Sequence, residues 1–256
     1  MKQALVAVSF GTSVPAAQKS IADVEEALAS VMPGADIYTA LTSPTIRRIL
    51  SKRGQQVFSL EEVLEQLAPM GYDLVVVQPT HLLYGFEFDR MKAAVQSFTG
   101  RFAKLVLGKP LLSNTEDLLA LAEYLKEEFP PSEEALVLMG HGTEHFANMV
   151  YPAFQTVLRL AGFSGAYVGT VEGWPSIENV MEQLKADGKQ KVLLTPMMLV
   201  AGDHACNDMA GEDPDSWKSK LEAEGFTVRC RMEGLGNLPQ IQSLYCRHLK
   251  DLLETV

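Results

Sequence analysis

The chain has 256 residues, of which 47% are hydrophobic and 21% are charged, so it is long enough for one large or two small domains with packed cores. Its net charge is −10, with 22 Lys and Arg against 32 Asp and Glu, and this balance disfavours non-specific binding to nucleic acid. The sequence contains no run of about 18 apolar residues, the length that a membrane-spanning helix requires. Its three scattered cysteines argue against a disulfide framework.

The chain begins with a short apolar run. Lys2 precedes residues 4–8, a combination that also occurs in signal peptides. The run ends at Ser9 and Gly11 without a cleavage site, and a similar segment recurs inside the chain, so we interpret it as a strand of the fold. Because the few cysteines also fit a reducing compartment, we predict a cytoplasmic protein.

Short apolar runs then alternate with segments of helical periodicity. The predicted strands are residues 4–8, 35–41, 74–77, 105–107, 135–139, 166–171, 192–194 and 227–229. The predicted helices include residues 16–32, 60–67, 115–128, 177–185 and 241–253, and capping signals at Ser59 with Glu62 and Asn114 with Asp117 support two of them. This alternation predicts an α/β fold with parallel sheets flanked by helices.

The second half of the sequence resembles the first. Residues 5–12 match residues 136–143, and residues 39–46 match residues 170–177, both at the offset of 131 that separates Phe10 from His141. A third pair, residues 78–87 and 195–204, has an offset of 117, which places the additional residues of the first half within 52–71. We therefore predict two similar α/β domains, residues 1–130 and residues 131–256.

Each repeated segment combines the end of a strand with the loop that follows it. Ligands of open parallel sheets bind at the carboxyl ends of the strands, so three loops of each domain should surround a site, most simply in a cleft between the two domains. The first half places Phe10, Leu41 and Glu87 in these loops, and the second half places His141, Glu172 and His204 at the matching positions. Two imidazoles and a carboxylate predict a metal site with open coordination positions.

Several of these residues have a simpler interpretation. A single polar residue most often satisfies a loop, and only the combination of three favours a metal site. His145 is either an additional ligand or a solvated helix start. Cys206 would favour zinc as a thiolate, but a lone cysteine is more often a small buried residue. Arg47 and Arg48 form either a solvated helix face or a rim that binds carboxylates.

Five motifs together resemble those of one enzyme family. They are VSFGTS at 8–13, HLLYGFE at 81–87, MGHGT at 139–143, VEGWP at 171–175 and MLVAGDHA at 198–205. Their order across nearly the whole chain is similar to that of the CbiK-type anaerobic cobalt chelatases. The resemblance implies two α/β domains related by pseudo-twofold symmetry, with the metal and a tetrapyrrole in the cleft. It also implies insertion of Co²⁺ into sirohydrochlorin, with His141 as metal ligand and proton acceptor and with Glu172 and His204 as the other ligands.

The chemistry of tetrapyrrole metallation suggests roles for the remaining loop residues. The expected macrocycle contacts are Phe10, Leu41, Tyr84 and Met198, and the expected carboxylate-binding residues are Arg47 and Arg48. Glu87 is a candidate catalytic residue that receives a proton or guides the metal, with a structural carboxylate as the alternative. We expect sirohydrochlorin as the partner, Co²⁺ as the substrate metal with Fe²⁺ as a second possibility, no organic cofactor, and a homo-oligomer.

Three other functions are compatible with the sequence. An enzyme of the same fold could prefer Fe²⁺ and make sirohaem, because two histidines and a glutamate accept several first-row metals. A metallohydrolase would use a metal-bound hydroxide, with Glu144 or His145 as the base. A metal carrier would bind the ion without turnover, but this leaves a whole second domain unexplained.

Overall fold

Parallel four-stranded sheets organise the chain in a computed structural model that describes residues 2–130 and 132–256. The first sheet contains β1 (Gln3–Ser9), β2 (Asp36–Leu41), β3 (Leu74–Pro79) and β4 (Leu105–Leu107), in the order β2-β1-β3-β4. The second contains β5 (Ala135–Gly140), β6 (Ala166–Thr170), β7 (Lys191–Pro196) and β8 (Thr227–Cys230), in the order β6-β5-β7-β8. Each predicted strand is confirmed, and the matching strand orders confirm the internal repeat.

Helices connect the strands of each sheet. They are α1 (Gln18–Val31), α2 (Pro44–Lys52), α3 (Leu60–Leu67), α4 (Phe86–Phe98), α5 (Thr115–Glu128), α6 (Val150–Leu160), α7 (Ile177–Ala186), α8 (Trp217–Ala223) and α9 (Pro239–Leu253). The predicted caps are confirmed: Ser59 and Glu62 form a reciprocal capping box, and Asn114 Oδ1 accepts from Asp117 N at 2.9 Å. Within the described part of the chain, no helix combines the length and apolar composition needed to cross a bilayer.

The additional residues of the first half form a helix of their own. Helix α3 lies between α2 and β3, whereas α7 leads to β7 without an intervening helix. Its buried side chains belong to the first hydrophobic core, and they are Leu60, Val63, Leu64 and Leu67. The insertion predicted within residues 52–71 is therefore an extra covering layer on the first sheet.

The structure divides the chain differently from the predicted domains. One unit comprises the described residues of Met1–Ser113 together with Gly236–Val256, and the other is Asn114–Leu235. Helix α5 packs on α6, and α9 packs on α1 with Tyr245 donating a buried hydrogen bond to Thr80 O at 2.6 Å. The predicted boundary between residues 130 and 131 lies at the proline-rich connection. Because of the helix contacts, however, α5 belongs to the second unit and α9 belongs to the first. Met1 and Pro131, the first residues of the two predicted domains, lie outside the described residues.

One partly buried carboxyl group on α1 makes stability depend on pH. Burial raises the pKa of Glu25 to about 7 from an ordinary value of 4.5, so the folded state disfavours the ionised form. The resulting penalty is absent at low pH and grows as pH rises from about 4.5 to about 7. We expect Glu25→Gln to raise the free energy of unfolding by about 1–3 kcal/mol at pH 8.5 and to change it little at pH 4.5.

Chemical denaturation at both pH values tests this expectation. Glu26→Gln, at the exposed neighbouring position on α1, is the matched control and should change stability by no more than about 0.5 kcal/mol at either pH. An equal gain for Glu25→Gln at both pH values would show that packing, rather than ionisation, is responsible.

Candidate metal centre

The three predicted metal ligands come together at the carboxyl edge of the second sheet. His141 follows β5 directly, Glu172 follows the neighbouring strand β6, and His204 lies beyond β7 on the other side of β5. The ligand atoms of the three side chains all lie within 4.8 Å of one another. Their side chains are 41%, 57% and 34% exposed, respectively, so an incoming ion can reach all three. The repeat alignment thus identified residues that adjacent strands bring together.

Backbone hydrogen bonds hold the loops of His141 and Glu172 against each other. Glu172 N donates to His141 O at 2.8 Å, which extends the pairing of β5 and β6 beyond the strands. The Glu172 loop is closed at its base because Thr170 N and Thr170 Oγ1 both donate to Pro175 O, at 2.7 and 3.0 Å. These bonds fix the separation of the two ligand-bearing segments.

Gly142 allows this close approach of the two loops. Its φ is +81°, a conformation that favours glycine, and a Cβ atom here would lie 2.6 Å from Gly173 N. Its own N–H donates to the hydroxyl of buried Tyr151 at 3.3 Å. Glycine is therefore required next to His141 by backbone conformation and by space.

Asn148 forms a second connection between the same loops. Its Oδ1 accepts from Thr143 N at 3.1 Å, and its Nδ2 donates to Trp174 O at 2.7 Å. Both its carbonyl and its amide group therefore serve as a bridge between the segments that carry His141 and Glu172. The sequence analysis missed Asn148 and Tyr151, because neither belongs to a repeated motif.

The hydrogen bonds of the two histidines indicate which ring nitrogen is left to bind a metal. His141 Nδ1 lies 2.8 Å from Gly142 O, and His204 Nδ1 lies 2.7 Å from Asp208 Oδ2. A carbonyl or carboxylate oxygen only accepts, so each Nδ1 carries a proton and each Nε2 is the ring nitrogen that can coordinate a metal. The rings meet edge to face, with centroids 4.6 Å apart. Two imidazoles with one carboxylate form a ligand set for a first-row divalent metal that leaves coordination positions open.

Two nearby residues have other roles. His145 caps the short 3₁₀ turn Phe146–Met149, where its Nδ1 accepts from Ala147 N at 3.0 Å, so the helix-start interpretation is confirmed. Cys206 is exposed, and the interpretation as a small buried residue is wrong for it. It is also absent from the group of ligand atoms found among the described residues.

The predicted macrocycle contacts present apolar surface in both units. In the first unit, Phe10 is 47% exposed beyond β1, Leu41 ends β2, and Tyr84 is 38% exposed and packs edge to face on Phe88. In the second unit, Met198 packs against the hydrophobic core and remains half-buried. Trp174 and Phe146, which sequence reasoning did not select, are 59% and 85% exposed close in the chain to the metal ligands. Exposure of these aromatic rings has no sequence signal of its own.

The charged candidates of the first unit differ in their surroundings. Glu87 lies in the first turn of α4, where its Oε1 accepts from Arg90 at 2.7 Å and its buried Oε2 has no hydrogen-bond partner among the described residues. Arg47 reaches Glu62 on α3 at 3.4 Å, whereas Arg48 is exposed. The ion pair with the inserted helix gives Arg47 a structural partner, so Arg48 is the better candidate for binding a carboxylate.

His81 is a further imidazole in the first unit. Its Nε2 lies 3.3 Å from Thr42 Oγ1, and its buried Nδ1 has no hydrogen-bond partner within the described residues. Burial lowers the pKa of His81 to about 4, so the ring is neutral at physiological pH. The internal repeat aligns His81 with Met198, so the comparison of the two halves does not mark it as a candidate site residue.

Comparison with known proteins agrees with this geometry. A family model described as cobalt chelatase (CbiK) matches residues 3–254. The chain is 38% identical to a sirohydrochlorin cobaltochelatase of Salmonella typhimurium, over 99% of this chain and 97% of that protein. It is 29% identical to the sirohydrochlorin cobaltochelatase CbiKC of Nitratidesulfovibrio vulgaris, over 97% of this chain and 89% of that protein.

Solved structures share the fold at low sequence identity. SirB from Bacillus subtilis with Fe³⁺ superposes with a TM-score of 0.67 at 17% identity, covering 98% of this chain and 95% of that one. The sirohydrochlorin chelatase SirB from Bacillus subtilis subspecies spizizenii, in complex with cobalt, gives 0.66 at 15% identity, covering 100% and 97%. The predicted α/β fold with parallel sheets is confirmed.

Proposed function

The chain belongs to the cobalt chelatase (CbiK) family, and we propose that it inserts Co²⁺ into sirohydrochlorin with release of two protons. The observation that carries the proposal is the convergence of His141, Glu172 and His204 within 4.8 Å at the ends of three adjacent strands. Two relatives named as sirohydrochlorin cobaltochelatases, aligned over nearly the whole chain, supply the substrate class. His145 acts as a local cap, which removes one base expected of a metallohydrolase.

The first step is partial dehydration of the ion. The Nε2 atoms of His141 and His204 and the carboxylate of Glu172 replace water ligands, and the carboxylate offsets part of the metal charge. A site with three protein ligands keeps positions open for entering pyrrole nitrogens. Transfer follows as pyrrole nitrogens replace the protein ligands one at a time.

Two pyrrole N–H protons must leave as the metal enters the ring. His141 is suited to accept one of them, because its Nε2 lone pair becomes available once the metal moves to the macrocycle. Its Nδ1–H stays bonded to Gly142 O, so the ring keeps its orientation during the transfer. Glu87 is the proposed second group that receives a proton or guides the metal. The atom concerned is Oε2, which has no hydrogen-bond partner in the part of the chain that the structure describes.

We propose macrocycle contacts for Phe10, Leu41, Tyr84 and Met198, and carboxylate contacts for Arg48 and, to a smaller extent, Arg47. Exposed contacts of this kind stabilise the bound substrate and the transition state alike.

Arg48→Ala should raise the KM for sirohydrochlorin about threefold and leave kcat within about twofold, as for removal of one exposed ion pair. Steady-state kinetics measures both constants. Lys92→Ala, at an exposed position on α4, is the charge-matched control. An equal KM change in both variants would indicate that Arg48 belongs to a solvated helix face and does not bind the substrate.

An anaerobic insertion assay tests the function itself. Purified protein is mixed with sirohydrochlorin and Co²⁺, and the absorption spectrum of the tetrapyrrole is followed beside a protein-free sample and a parallel reaction with Fe²⁺. We expect Co²⁺ insertion well above the uncatalysed rate and slower insertion of Fe²⁺. No acceleration with either metal would overturn the proposal, and faster insertion of Fe²⁺ would reassign the enzyme as a ferrochelatase.

A further inference from the structure

The two metal-binding histidines are held by different kinds of hydrogen-bond acceptor. His141 Nδ1 contacts a main-chain carbonyl, Gly142 O, whereas His204 Nδ1 contacts a side chain, Asp208 Oδ2, at 2.7 Å. A main-chain partner is fixed by the path of the loop. A side-chain partner has to be placed there by a particular residue, and a substitution can remove it.

A turn of π-helix places Asp208 at that position. Residues Ala205–Met209 form the turn, and Ala210 N donates to Ala205 O at 3.1 Å across five residues. Ala205 and Met209 are fully buried in the second hydrophobic core, so the turn is anchored on its inner side. The outer side carries Asp208 beside His204, and the contact therefore does not depend on a flexible surface loop.

We propose that Asp208 is a positioning residue that keeps the His204 proton on Nδ1 and directs its Nε2 lone pair to the metal. The proposal rests on the assignment of His204 as a ligand in the proposed function. A hydrogen-bond acceptor behind a ligating imidazole fixes the tautomer and the orientation of the ring, and its loss typically weakens metal affinity by about 10–100-fold. Asp208 is itself outside the group of three ligands whose atoms lie within 4.8 Å.

The tautomer of His204 is the direct readout. In metal-free protein labelled with ¹⁵N-histidine, at pH 8.5, we expect the His204 signals of the wild type to show the proton on Nδ1. His204→Ala assigns these signals. In Asp208→Ala the form with the proton on Nε2 should become populated, and in Asp208→Asn the amide oxygen can still accept, so the wild-type tautomer should persist. Asp215→Ala, at an exposed aspartate in the same unit, is the control and should leave the spectrum unchanged.

Cobalt affinity, from titration of the same variants followed by visible absorption, completes the test. We expect Kd for Co²⁺ to rise about 10–100-fold in Asp208→Ala and to stay within a few-fold of the wild type in Asp208→Asn and Asp215→Ala. If Asp208→Asn weakens binding as much as Asp208→Ala, Asp208 acts through its charge or as a ligand, and the positioning role is overturned. If His204→Ala weakens binding but Asp208→Ala does not, the positioning role alone fails. If His204→Ala leaves Kd unchanged, the ligand set of the proposed function fails.

Discussion

Replacement of His141 by alanine should reduce Co²⁺ insertion by at least about 100-fold while the protein remains folded. In the proposed mechanism, this one substitution removes both a metal ligand and a proton acceptor, and a positioned acid or base alone contributes about 10²–10⁴-fold. The stability cost should stay below about 1 kcal/mol, because the side chain is 41% exposed and fills no core position. The insertion assay, the Kd for Co²⁺ and thermal unfolding together measure the effect.

His145→Ala is the matched control, because it removes an imidazole from the same loop. It should cost about 1 kcal/mol of stability through the lost cap and leave the insertion rate within about twofold. Turnover retained in folded His141→Ala would remove this residue from the mechanism. A loss of rate in His145→Ala as large as in His141→Ala would instead indicate that the loop as a whole, rather than one ligand, is required.

The convergence of the three proposed metal ligands was predictable because their positions follow from local patterns. Each strand that precedes one of these residues is a short apolar run in the sequence. Parallel pairing brings the carboxyl ends of such strands to the same edge of the sheet. The repeat then identified His141, Glu172 and His204 as the positions at which the second half differs from the first. The two helix caps, at Ser59 and Asn114, and the insertion in the first half were predictable for the same reason, since spacing along the chain determines them.

Other features depend on contacts that the sequence does not encode locally. The last helix of each repeat, α5 or α9, could pack on either unit, and the choice is made by contacts with α6 and α1. Arg47 has a partner, Glu62, on the inserted helix, which has no counterpart in the repeat. The exposure of Cys206 follows from the π-helical turn, which buries Ala205 and Met209 instead.

Gly142→Ala should affect both stability and metal binding, because this glycine lies where the two ligand loops touch. A left-handed conformation costs an alanine about 1–2 kcal/mol, and the new Cβ would lie 2.6 Å from Gly173 N and 2.9 Å from the carbonyl carbon of Glu172. These are main-chain atoms, so the overlap cannot be relieved by a rotamer change. We expect a total loss of about 2–5 kcal/mol in the free energy of unfolding and a Kd for Co²⁺ raised at least about tenfold, since relief of the overlap must move Glu172 away from His141.

Gly162→Ala separates the two causes. Gly162 has a similar φ of +77° in the same unit, but a Cβ there meets no atom of the described residues within 4 Å. This control should lose only about 1–2 kcal/mol and keep the wild-type Kd for Co²⁺. Denaturation and cobalt titration of both variants then isolate the effect of the crowded loops. Equal stability losses in the two variants, with unchanged affinity in both, would mean that the separation of His141 and Glu172 does not depend on Gly142.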